Sequence, residues 1–164
     1  MVATIRALAQ QALAGQTLRM AVFDPGAIPG VPELWLANLA APVSAADALT
    51  VYNFLADPSR KPVGNYPVRV YPATALALPL AGNLYLDGTN PAALANAAAR
   101  VDNYQATLDI GQPIHVSRLV DVVIADAAEG VIGCVFPAYE TTEIITPGRT
   151  DVVDFIPAFN PIGP

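Results

Sequence analysis

Cysteine, histidine, lysine and tryptophan each occur once in this 164-residue chain, as Cys134, His115, Lys61 and Trp35. A lone cysteine excludes an internal disulfide and any zinc cluster built on paired thiolates. One lysine and seven scattered arginines cannot make the basic patch that a phosphate backbone requires. With 14 acidic residues against 8 basic ones, and a net charge of −6, nucleic acid is excluded as a partner. No apolar run approaches the roughly 18–20 residues that span a bilayer. Arg6, Gln10 and Gln11 fall where a secretory signal needs its apolar stretch. Neither membrane insertion nor secretion is expected, and the chain is expected to work in a cytoplasm or after leaving one.

What is present is apolar. Hydrophobic residues make up 54% of the chain and charged ones only 13%, about half the usual share of roughly 25%. Such a chain has ample apolar surface to offset the entropy of ordering, so global disorder is excluded. So few charges on so apolar a chain imply that much of its surface faces other protein.

The first unit read along the chain begins with a helix over 2–14. Ile5, Leu8, Ala9, Ala12 and Leu13 share one face, and Gly15 is placed to end it. Alternation predicts strands over 17–23 and 33–39, separated by a Pro- and Gly-rich loop over 24–30. Ser44, with Asp47 three positions on, reads as a variant capping box. The helix that it starts is expected to run to Ala56, to bury Ala48, Leu49, Tyr52 and Leu55, and to stop at Asp57-Pro58. A proline-fenced strand follows over 66–72.

A second unit starts near Leu76. Leu76, Leu78 and Leu80 alternate, Gly82-Asn83 is expected to interrupt, and 84–86 continues. Asn90 and Pro91 read as N-cap and first residue of a helix carrying Leu94, Ala97, Val101, Tyr104 and Leu108 on one stripe. A short extended step over 114–116 precedes a second helix, with Ser117 as its cap and Leu119, Val120, Val123, Ile124 and Ala127 on its inner face. Gly130 ends that helix, and 131–136 returns as a strand. A further strand over 151–156 is expected within a tail that leans on a neighbour. The chain is therefore expected to be α+β: two small α/β sandwiches, with mixed or antiparallel sheets and helices on one face, plus a C-terminal tail strand. The divisions fall at 1–16 (helix), 17–75 and 76–137 (sandwiches), and 138–164 (extended tail).

No catalytic, cofactor or metal constellation stands out. His115 has Asp109 and Asp121 as its nearest acids in sequence, and a strand-end backbone bond is the commoner use of such a histidine. Asp121 and Asp126 are five apart and point to different helix faces. Asp151 and Asp154 read as solvated edge charges, and Cys134 as a small buried hydrophobe. Gly111, Gly130 and Gly133 form no phosphate-binding fingerprint. Trp35, Tyr66 and Tyr71 could form a ligand or sugar platform, although core or interface packing is the more frequent role of such rings. A hydrolase using His115 is the weakest reading.

One ordered set of motifs resembles a known family. Val51-Tyr-Asn-Phe-Leu55, Arg60-Lys-Pro-Val-Gly64 and Val68-Arg-Val-Tyr-Pro72 are similar to the helix, turn and strand of baseplate J-like proteins of contractile phage tails. The likeness continues through Tyr104-Gln-Ala-Thr-Leu-Asp-Ile-Gly111, Ile114-His-Val-Ser-Arg-Leu119, Glu129-Gly-Val131, Glu143-Ile-Ile-Thr-Pro-Gly148 and Asp151-Val-Val153. It spans roughly residues 17–156. The resemblance implies a non-enzymatic structural component of the baseplate wedge, in a phage tail or a related injection machine. Such a component forms a ring around the hub and relays the contraction trigger. It also implies partners: copies of itself and other wedge, hub and sheath-initiator tail proteins. The implied location is the tail baseplate of the virion, after assembly in the host cytoplasm. On this reading the interface anchors are Tyr66, Tyr71, Tyr139, Phe155 and Phe159. The family carries a further N-terminal region, whereas the recognisable part here starts almost at Met1. Helix 2–14 is then either a remnant that packs with neighbouring subunits or a cover for its own sheet. The alternative function is a small-molecule or carbohydrate binding module that uses the aromatic residues and the 24–32 loop.

Overall fold

Helix α1 (Val2–Ala12) places Ile5 and Ala9 one turn apart, with Leu13 a turn further on, and all three are buried. The computed structural model describes residues 2–23, 30–39, 41–59, 67–125 and 130–163. Gly15, with φ of 96°, takes the left-handed conformation that ends the helix. Strands β1 (Arg19–Phe23) and β2 (Glu33–Ala37) pair antiparallel, with Ala21 opposite Trp35. Helix α2 (Ala45–Ala56) then leads to β3 (Arg69–Pro72), which pairs parallel to β2 as an edge strand. The chain is an α+β protein with mixed and antiparallel sheets.

The described residues group into two units. The first comprises 1–75 with the short segments 109–111 and 148–152, and the second takes the remainder. Neither the first helix nor the tail forms a division of its own. Ile5, Ala9 and Leu13 share a core with Leu34, Leu36, Val51 and Leu55, so α1 covers its own sheet. On the opposite face of that sheet Ala21, Ala37 and Ala73 pack with Ile110 and Val152, which the two short segments bring in. Those segments are pinned by backbone bonds: Gly111 N–H to the Asp151 carbonyl at 2.8 Å and Thr74 N–H to the Thr150 carbonyl at 2.9 Å. Each fully buried Leu or Val contributes about 1.5–3 kcal/mol, so the two-sided burial of β2 is a main source of this unit's stability.

Ser44 caps α2 as expected, its Oγ accepting the Asp47 N–H at 3.0 Å. The buried stripe differs from the expected one. Ala48, Val51 and Leu55 point inward, whereas Leu49 is 57% exposed and Tyr52 42% exposed. At about 100° per residue Leu49 lies a quarter-turn from Ala48, and Tyr52 sits at the stripe's margin.

In the second unit the central strand is β4 (Thr74–Leu86), flanked by β6 (Val131–Val135) and β8 (Asp151–Ile162). Gly82-Asn83 does not interrupt β4. A Cβ on Gly82 would lie 2.9 Å from Cε1 of Phe136 and 3.2 Å from Cδ1 of Phe159, so the glycine admits two rings rather than making a turn. Helices α3 (Ala93–Gln105) and α4 (Val116–Ile124) pack on each other over a core of Leu80, Leu84, Ala97, Val101, Leu119 and Val123. A two-stranded ribbon joins β5 (Ile114–His115) to β7 (Ile144–Ile145).

Two expected caps are displaced. Asn90 accepts the Ala92 N–H at 2.9 Å in a turn that precedes α3, and the N-cap position is Ala92. Helix α4 starts two residues earlier than expected, with His115 at its N-cap and no side-chain cap bond; Ser117 lies inside its first turn. Ala127 lies outside the described residues. The largest correction concerns the tail. Instead of a short strand over 151–156 within a tail that leans on a neighbour, β8 runs for 12 residues and pairs with β4 of its own chain. Pro157 and Pro161 lie in β8, an edge strand, which is where a sheet admits proline.

Candidate interaction surfaces

Of the five aromatic residues expected at interfaces, three are engaged by the core of their own unit. Phe155 is 4% exposed, its ring stacked near that of Tyr104 at 6.4 Å between centroids. Phe159 packs against Phe136 at 6.4 Å, and Tyr139 leans on the same core with its hydroxyl donating to the Pro79 carbonyl at 3.4 Å. Tyr71 is half-buried in the first unit and stacks on Trp35 at 4.8 Å and 29°. The two rings cover one another, so Tyr71 offers at most one face to a ligand. Tyr66 and the 24–29 loop lie outside the described residues, as do Arg60-Lys-Pro-Val-Gly64, Asp126 and Glu129.

The exposed apolar residues are different ones. In the second unit Ile132 is 62% exposed and Ile156 50% exposed, and Tyr85 and Ile162 are exposed as well. Strand alternation explains this set. Leu80 and Leu84 of β4 face the core with Phe155 of β8, so Tyr85 and Ile156 face outward, and Ile132 sits where the β4–β6 register shifts after Tyr85. The alternation over 75–85 marks Tyr85 alone of this set; placing Ile132, Ile156 and Ile162 required knowing that 131–135 and 151–162 flank that strand.

The second unit also carries a groove of about 570 Å³ between the start of α4 and the 134–144 segment. Val120, Val135, Phe136 and Ile144 line its walls, and His115, Glu140 and Glu143 stand exposed around it. The backbone holds this arrangement: Val116 N–H donates to the Glu143 carbonyl at 3.0 Å, and Tyr139 N–H to the Phe136 carbonyl at 2.9 Å.

The remaining candidates for chemistry have structural employment. Burial pushes the Cys134 thiol up to about 11, so it stays protonated and a poor nucleophile near neutral pH. Asp151 and Asp154 are not simply solvated edge charges. Asp151 accepts the Gly148 N–H at 2.8 Å, and Asp154 accepts from Gln105 Nε2 at 3.3 Å. Hydrogen bonds from the Thr89 hydroxyl and N–H hold the Asp87 carboxyl below its ordinary value. Arg19 is buried at the start of β1, its Nη1 donating to the Leu39 carbonyl at 2.9 Å. Desolvation lowers its pKa against the pull of Asp109. Arg149 reaches Glu33 at 3.5 Å and lies 4.2 Å above the Phe23 ring. Among the described residues no group of three His, Cys, Asp or Glu side chains is placed to hold a metal ion. No described helix is long and apolar enough to cross a membrane.

Comparison with known proteins adds no relative: no family model matches the chain, and neither does any curated protein.

Proposed function

We propose that this chain is a structural assembly subunit without catalysis, a wedge component of the baseplate of a contractile tail or related injection machine. In that role it forms a ring around the hub with copies of itself, contacts other wedge, hub and sheath-initiator proteins, and relays the contraction trigger within the virion. The observation that carries the reading is the ordered run of helix, turn and strand motifs between residues 51 and 153. The exposed apolar set on the second sheet supports it, because a surface that leaves Ile132 and Ile156 in water suits a permanent neighbour.

The test is to tag the chain in its native host, purify tail particles and image them. Density for the chain in the baseplate is the expected result. Intact tails that lack the chain overturn the proposal.

A further inference from the structure

The groove beside α4 is apolar within and acidic at its mouth. Glu140 and Glu143 stand exposed there, and none of the residues that line it is Lys or Arg. Its volume, about 570 Å³, falls in the range of roughly 300–1,000 Å³ typical of sites that enclose a ligand or an anchoring segment. An occupant that brings an anion meets two like charges, whereas a cation meets two opposite ones. The fitting occupant carries a cation next to a compact apolar group.

This sequence contains one such segment. Among its eight basic residues only Arg60 and Lys61 adjoin, and Pro62-Val63 follows them directly. We infer that the groove receives the Arg60-Lys-Pro-Val63 segment of a second copy of the chain, with the cations at Glu140 and Glu143 and the Pro-Val pair on the apolar wall. Such a contact is heterologous, since one surface of a copy meets a different surface of the next. Each chain carries a net charge of −6, so a local patch of opposite sign is needed to bring copies together. The inference rests on the assembly reading for the premise that copies meet.

Sedimentation velocity of the full chain across a concentration series tests it. Wild type is expected to self-associate, and less so in high salt, which screens exposed pairs. The Glu140→Lys/Glu143→Lys variant is expected to sediment as a monomer, and so is Arg60→Glu/Lys61→Glu. An equimolar mixture of the two is expected to associate again, because the reversed groove of one complements the reversed segment of the other. Circular dichroism and thermal melts check that each variant is folded. Should the Lys pair unfold the chain, Glu140→Gln/Glu143→Gln replaces it, with weakened association expected. Self-association that neither reversal changes overturns the groove contact and leaves the assembly reading standing. A wild-type chain that stays monomeric at every concentration overturns the contact too, while imaging of particles decides the assembly reading separately.

Discussion

Gln105, at the end of α3, accepts the backbone N–H of Phe155 through its Oε1 while its Nε2 donates to Asp154. The side chain is only 5% exposed, so a helix residue ties down β8 from inside the second unit. A buried amide that is satisfied on both sides stabilises; one left half-satisfied costs its desolvation.

Gln105→Leu is therefore expected to destabilise the protein by about 1–3 kcal/mol, because the Phe155 N–H loses its acceptor. Urea denaturation measures this. A midpoint unchanged from wild type would show that β8 is held by its ladder alone.

Gly111 and Gly15 both have positive φ, yet substitution is expected to separate them. At Gly111 a Cβ would lie 2.7 Å from the Arg149 carbonyl oxygen, whereas at Gly15 it meets nothing within 4 Å. Gly15→Ala is expected to cost about 1–2 kcal/mol, the conformational term alone. Gly111→Ala is expected to cost clearly more and to loosen the 148–152 segment, which hydrogen exchange at Gly111 and Thr74 reads out. Equal losses for the two variants would count against the close approach.

Cys134 predicts a pH dependence. Its thiol titrates near 11 when folded against an ordinary value of 9.0, so the folded state favours the protonated form. The stability this contributes is complete below pH 9 and is lost as pH rises toward 11. Comparing wild type with Cys134→Ala across that window isolates it: the difference in stability is expected to shrink with rising pH. At pH 8 the native thiol is also expected to react with a disulfide reagent far more slowly than the urea-unfolded chain does.

Ile132→Lys and Ile156→Lys change side chains that are already in water, so each is expected to shift stability by no more than about 0.5 kcal/mol. Under the proposed assembly role they reduce incorporation into particles. Paired melts and particle pull-downs check both halves, and a variant that melts and assembles like wild type removes that surface from the interface.

What the sequence made legible was local chemistry. The stripe of Ile5, Ala9 and Leu13, the Ser44 cap and the left-handed Gly15 each depend on neighbours within a few residues, and all lie where periodicity places them. What it hid was long-range pairing. The proline-punctuated stretch after Pro137 reads as an extended tail until β8 is seen to pair with β4, and Phe155 looks like an anchor for a partner until β4 and Gln105 are beside it. The groove is equally non-local, since its lining joins α4 to residues beyond β6. His115 and Glu143 are 28 positions apart, and no spacing rule links them.

Ile110 and Val152 seal the first sheet's second face although most of the chain between them builds the other unit. A ribosome must therefore release the chain through Val152 before the unit begun by residues 1–75 can finish folding. Cutting the gene at residue 75 would yield a fragment whose sheet is bare on one face, not an independent module.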